Sequence, residues 1–388
     1  MRRLDDQTDT IQQADTAVSP GLAGPVFVRI LHRTPRWAGY LTAAVLAAAL
    51  ALVIASSYRD SFSGLRDACC VSEWLINYKG GFVRRGLGGT AILWLASLSG
   101  LSPRAVVFAV LASSYALFFA SLAALVLRIR NIDYLELLLA VSPFAALFPV
   151  VHHVASQRKE VLILALAGVA AATTLGRLDS IAKYLGWSLV FAVIVAIHDG
   201  SIFFLPLFVI YLRVVTPAAY PMGYRAWALL LPAAGVFFLG YIRSNTADIT
   251  ALCAAMDAAL NGRSCLTNSA AVWLHTSALD GVRTALKGYV TSPTALLLTL
   301  LPGAAGLIPV IIALRADAAT LSRAVAGLPF QRYFVWLSAL SIAVLFCIAI
   351  DGNRWFYIAT VLLTLMHFAA RLRHTASYSR PLSFLRRL

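Results

Sequence analysis

Long apolar runs, broken by short polar turns, set the pattern of this chain. A helix needs about 20 mainly apolar residues to cross the hydrocarbon core of a bilayer, and on that scale the sequence predicts about ten spans. They fall at roughly 37–57, 105–127, 133–151, 160–176, 184–198, 201–215, 226–242, 292–313, 333–350 and 355–370. Only His198-Asp199-Gly200 separates the fifth span from the sixth, which predicts a tight helical hairpin or a broken helix. Pro143 and Pro149 predict a kink in the third. The stretch from Thr90 to Leu101 is apolar but too short to cross, so it lies along the surface or re-enters. The expected fold is all-α, a polytopic integral membrane helical bundle.

Composition agrees with that pattern. Of 388 residues, 60% are hydrophobic and 13% are charged, where a soluble domain carries about 25% charge. Lipid must cover the surplus apolar surface. An even number of spans puts both termini on one side. The tails and the loops on that side hold 19 of the 32 Lys and Arg, so the positive-inside rule places both ends in the cytoplasm. Residues 1–36 then form a polar cytoplasmic tail without the apolar core of a signal peptide, and 371–388 a basic one. Between them lies a transmembrane domain, 37–370, with outer segments 58–104 and 243–291. The second carries apolar residues at i, i+3 and i+4, which predicts amphipathic helices on the outer surface. The net charge of +15 is scattered between spans, without a nucleic-acid motif. Lipid is the expected partner.

The residues least suited to lipid fall at the outer ends of different spans. The segment Lys79-Gly80-Gly81-Phe82-Val83-Arg84-Arg85-Gly86-Leu87-Gly88-Gly89 places three cations among glycines. Glycine lets backbone N–H groups approach a ligand, and arginine offers a fork of donors that matches phosphate. The plainer reading is a turn whose arginines reach lipid head groups. Glu73 is a candidate general base, or a loop carboxylate paired with Arg66 or Lys79; Asp67 is a second candidate. His153, Arg158 and Lys159 cluster at the next outer turn, as anion ligands or as an interfacial turn. His198 and Asp199 stand between apolar runs, as an acid–base pair or a helix cap. Arg354 is expected on phosphate with Asp351 holding it, or the two simply pair with each other. Cys253 and Cys265 share one outer segment and are close enough in sequence to bridge if it faces an oxidising compartment. No metal-ligand spacing and no cofactor motif is evident.

This layout resembles bacterial multi-spanning enzymes of envelope-glycan assembly. The GT-C class of glycosyltransferases carries an acidic catalytic residue in the first outer loop, where Glu73 or Asp67 stands here. The polysaccharide polymerase and O-antigen ligase group relies on outward-facing arginines, a role that Arg84, Arg85, Arg158 and Arg354 fit. The stretch Asn77-Tyr78-Lys79-Gly80-Gly81-Phe82-Val83-Arg84-Arg85-Gly86-Leu87-Gly88-Gly89 also looks like a signature of membrane proteins of this kind. The resemblance implies a glycosyltransferase or glycan polymerase of the bacterial inner membrane, with a polyprenyl-(pyro)phosphate-linked sugar as substrate at the outer face. It departs from the GT-C pattern in the spacing of Asp67 and Glu73, which are not adjacent. Two other classes remain open: a transporter or flippase of an anionic or lipid-linked substrate, and a non-catalytic assembly subunit.

Overall fold

The computed structural model describes residues 34–62, 68–129, 132–174, 180–215, 223–243, 248–257, 278–316, 331–348 and 352–378, with the single positions 265, 271, 274 and 322. Every regular element among them is helical. In chain order these are α1 (Arg36–Phe62), α2 (Ala68–Trp74), α3 (Gly86–Ser99), α4 (Pro103–Arg128), α5 (Tyr134–Ala140) and α6 (Phe148–Val151). A 3-10 turn, His153–Gln157, leads to α7 (Val161–Thr174) and α8 (Ile181–Ile197). A second 3-10 helix, Asp199–Phe204, leads to α9 (Leu205–Val215), α10 (Gly223–Arg243) and α11 (Ile249–Asp257). The chain continues as α12 (Ala278–Thr291), α13 (Pro293–Ala316), α14 (Gln331–Ile348) and α15 (Gly352–Tyr378).

Among the described residues, four helices are long and apolar enough to cross a membrane: α1, α4, residues Leu296–Arg315 of α13 and residues Gly352–Arg373 of α15. The remaining apolar runs are shorter or interrupted. The run at 133–151, expected as one kinked helix, is two short helices with turns between. α5 stops at Ala140, ahead of Pro143, and α6 begins only at Phe148. Proline cannot donate to the helix ladder, so a run that contains two of them gives up its continuity. The break at residues 198–200 is where the sequence put it: α8 ends at Ile197 and the chain tightens into the 3-10 helix. The apolar stretch after Arg85 forms α3, about 21 Å long at the helical rise, short of a hydrocarbon core of about 30 Å.

α15 is the central helix. It packs against α13, α9, α7 and α4, and it is the most buried of the four long helices. α1 and α13 instead present large apolar side chains outward, with Leu52 and Leu301 among them, as does α14 with Trp336. Apolar exposure on this scale needs cover.

Hydrogen bonds define two ends of the bundle. Near one, the Thr34 hydroxyl donates to the Ile132 carbonyl at 2.8 Å and Arg128 Nη1 to the Ala172 carbonyl at 2.7 Å. There Arg373 Nη1 also reaches the Val214 carbonyl at 3.0 Å. Glu136 anchors this end: Oε1 is 2.6 Å from Arg371 Nε and 3.2 Å from His367 Nε2, while Oε2 accepts from the Asp133 N–H at 2.9 Å in a capping box. At the other end of α1, the Ser57 hydroxyl lies 3.4 Å from the Ser156 carbonyl. Residues 133–156 therefore run the length of α1 and deliver Arg158, Lys159 and Glu160 to the far end.

Glu136→Ala would remove a buried carboxylate from Arg371 and His367 and the return half of the α5 capping box. Removing one partner of a buried pair costs about 3–5 kcal/mol. The expected result is a clear drop in melting temperature in detergent; an unchanged melting temperature would show that Glu136 does not anchor this end.

Candidate functional site

The residue before α3, Arg85, adopts the left-handed conformation at φ 66°, alone in this among the non-glycine described residues. That conformation costs an L-residue about 1–2 kcal/mol, and glycine would avoid the cost. The side chain explains the choice. Arg85 Nε lies 2.5 Å from Asp199 Oδ1, and Nη1 lies 3.4 Å from Glu73 Oε1. The backbone is bent so that one guanidinium bridges carboxylates from α2 and from the 3-10 helix after α8.

The glycines around it serve packing. A Cβ on Gly86 would stand 2.2 Å from Tyr78 Cε1, and one on Gly89 would stand 2.1 Å from the Ile76 carbonyl oxygen. A Cβ on Gly80 would stand 1.9 Å from the Asp248 carbonyl oxygen, and the Asp248 N–H donates to the Gly80 carbonyl at 2.7 Å. Asn77 Nδ2 also approaches the Leu252 carbonyl of α11, at 3.4 Å. The loop expected to offer its backbone to a ligand is thus seated on protein, and Arg84 and Arg85 are what it presents. Cys253 of α11 is joined to Cys265 in the expected disulfide. The Cys69 and Cys70 side chains lie outside the described residues.

Around Arg85 the chain gathers charge from five segments. Glu73 Oε2 is 2.7 Å from Arg158 Nη1. Asp199 Oδ2 is 3.7 Å from Arg84 Nη1. Glu160 Oε1 is 3.0 Å from Arg354 Nη1. His198 stands between the two glutamates, Nδ1 3.7 Å from Glu73 and Nε2 3.4 Å from Glu160. Helix ends explain the convergence. Arg354 lies at the start of α15, Glu160 just before α7, His198 just after α8 and Glu73 near the end of α2. Four arginines (Arg84, Arg85, Arg158 and Arg354) face three carboxylates, which leaves an excess of one positive charge in that layer.

Depth separates the roles. The carboxylates are nearly closed off, with Glu73 and Glu160 side chains 3% exposed, whereas Arg85 is 27% and Arg84 19% exposed. Burial by itself would push the Glu73 carboxyl up; Arg158, with His198 and Arg85, outweighs it and holds the group at about 2. Asp199 is likewise held at about 2, burial being outweighed by Arg85 and Arg84. These acids stay ionised and hold the guanidiniums forward. Lys159, expected to bind phosphate, is fully buried instead. Its Nζ donates to the Ile197 carbonyl at 2.9 Å and lies 5.8 Å from the centre of the Trp74 ring. Burial lowers it to about 8. It ties α7 to α8 behind the arginines.

Other expected residues fall elsewhere. The Lys79 side chain is exposed. Asp67, Asp351 and the His153 side chain lie outside the described residues, and the carboxylate seen against Arg354 is Glu160. Glu160 was legible as an acid opening an apolar run; its partner, far along the chain, was not. Also unforeseen are buried polar atoms on the 3-10 helix that carries Asp199 and on the first turns of α15. Ser201 Oγ, Asn353 Oδ1, Trp355 Nε1 and the Tyr357 hydroxyl have no hydrogen-bond partner among the described residues. Each such group costs about 1–3 kcal/mol unless water or a ligand meets it. Among the described residues no group of His, Cys, Asp and Glu could hold a metal ion.

Two outcomes are expected. Arg85→Gly should be more stable than Arg85→Ala by about 1 kcal/mol, since both lose the guanidinium but only glycine relieves the left-handed backbone; equal stability in denaturant melts would argue against the strain. Glu73 and Asp199 are both depressed, so their contribution is present above their ordinary values of 4.5 and 3.8 and is lost as pH falls toward about 2. Melting temperature in detergent should therefore hold from neutral pH down to about 5 and fall below it, and Glu73→Gln should flatten that fall.

Comparison with known proteins returned no matching family model, no matching curated protein and no matching solved structure.

Proposed function

We propose that the chain is a membrane glycosyltransferase or glycan polymerase that takes its sugar from a polyprenyl-(pyro)phosphate at the extracytoplasmic face, in cell-envelope polysaccharide synthesis. The observation that carries the reading is the forward layer of four arginines, backed by buried carboxylates and retaining an excess of positive charge. Such a layer suits an anionic head group. Ten spans with both termini cytoplasmic, the arrangement expected from the apolar runs and the charge bias, would put this end outside. The disulfide on α11, which seats the Gly80 loop, supports that placement, because disulfides persist in oxidising compartments. α11 and α12 then lie along the outer surface.

In the reaction the acceptor hydroxyl oxygen forms a bond to the anomeric carbon as the bond from that carbon to the phosphate oxygen breaks. The bonding pair leaves on the lipid (pyro)phosphate, which gains one negative charge. Arg84, Arg85, Arg158 and Arg354 stabilise that charge as it develops. The hydroxyl proton passes to Asp199, the shallowest of the three carboxylates, while Glu73 and Glu160 position arginines. A carboxylate held at about 2 is a weak base, so leaving-group stabilisation carries most of the rate.

A second reading has its own support. Helices broken at residues 141–147 and 198–204 beside buried charge suit a transporter or flippase of a lipid-linked anion. The test is turnover of a polyprenyl-linked sugar by purified protein in detergent. Arg85→Ala and Arg158→Ala should each lower turnover by about 100-fold or more, in line with loss of a transition-state charge partner, and Asp199→Asn less. Movement of labelled substrate across liposomes without chemical change would favour the transporter.

A further inference from the structure

One face of α15 carries polar residues along its whole length. Arg354, Tyr357, Thr360, Thr364, His367 and Arg371 follow at intervals of three or four, so they form one stripe. The four between the arginines are nearly fully buried, Tyr357, Thr364 and His367 at 3% and Thr360 at 1% exposure. A polar stripe on the central helix of an apolar bundle is costly, and its ionisable members are functional candidates by position.

The two ends of the stripe are titratable. At the candidate site Arg354 meets Glu160, with His198 beside it, and Tyr357 and Tyr115 of α4 both lie within the field of Glu160. At the opposite end His367 and Arg371 meet Glu136 of α5. Arg373, one turn from Ala370 on the same helix, and buried Arg213 of α9 stand nearby at that end. Between them the Tyr357 hydroxyl and Thr360 Oγ1 have no hydrogen-bond partner among the described residues. Thr364 Oγ1 donates to the Thr360 carbonyl at 2.8 Å, a bond it exchanges for one to the next member when it passes a proton on.

The Cβ atoms of successive members of the stripe are about 5–6 Å apart. A relay from Glu160 to His367 along this face requires water between the hydroxyls. We propose that α15 carries a proton path joining the Glu160–His198 cluster to the Glu136–His367 cluster. Each hydroxyl and water accepts one proton and gives up another to the next member, so one proton enters at Glu160 and one leaves at His367. No group changes its covalent state, and a pH difference or voltage across the membrane drives the transfer. The path is independent of what the arginines bind.

The full chain in liposomes, with a pH-sensitive dye inside and a potassium diffusion potential across the membrane, measures it. Wild type should take up protons several-fold faster than protein-free liposomes. Thr360→Val and Tyr357→Phe, which remove a hydroxyl and keep the shape, should return uptake to the protein-free rate while the protein still elutes as a single folded species. Wild-type uptake at the protein-free rate, or uptake undiminished in both variants, would overturn the proposal. Thr360→Val leaves the arginine layer intact, so sugar-transfer activity is read separately on that variant, and either result can fail without the other.

Discussion

Everything at the candidate site depends on charge compensation away from water. An isolated ion in a low-dielectric interior is prohibitive, and a paired one is tolerated only with good geometry. Glu73, Asp199 and Glu160 meet that condition by facing Arg158, Arg85, Arg84 and Arg354. The pairs join segments that lie far apart in sequence, so each of them also fixes the relative position of two helices. The price of this arrangement appears in the backbone, where Arg85 holds a conformation that glycine would adopt freely.

The same constraint sorts the cations. Those that compensate carboxylates keep part of their surface exposed, and the excess charge sits there. Lys159, without a route outward, is spent on a backbone carbonyl and an aromatic ring. The glycines of the loop contribute indirectly. By letting Tyr78, Ile76 and Asp248 close in, they hold Arg84 and Arg85 in place. A layer built this way suits a ligand whose charge is fixed and multiple, which is the property of a phosphorylated lipid head group.

Part of this was legible in the sequence. Charge within apolar runs is conspicuous, so Arg84, Arg85, Arg158, His198, Asp199 and Arg354 stood out, and the break after Ile197 followed from three polar residues in a row. The all-helical architecture followed from the same runs. Partnership was harder to see. Glu160 lies almost half the chain away from Arg354, and nothing local connects them; the nearer Asp351 was the natural expectation. The glycine roles were also hidden, because a missing Cβ serves a ligand and a neighbouring ring equally well until the neighbour is known. Helix continuity failed where proline and short polar turns interrupted runs whose average composition still favoured a span. The hydroxyls of α15 were invisible for another reason: threonine and tyrosine are common in apolar helices, and only their shared face, with Tyr357 and Thr360 unpartnered among the described residues, set them apart.

The central claim is that these side chains form one anion-binding site. Equilibrium binding of a polyprenyl diphosphate to the purified full chain in detergent tests it most directly, followed across a salt series. Saturable binding that weakens with added salt, and is lost on reversing either Arg84 or Arg354 to glutamate, is the result the account predicts. Binding that survives both reversals, or that never saturates, would contradict it.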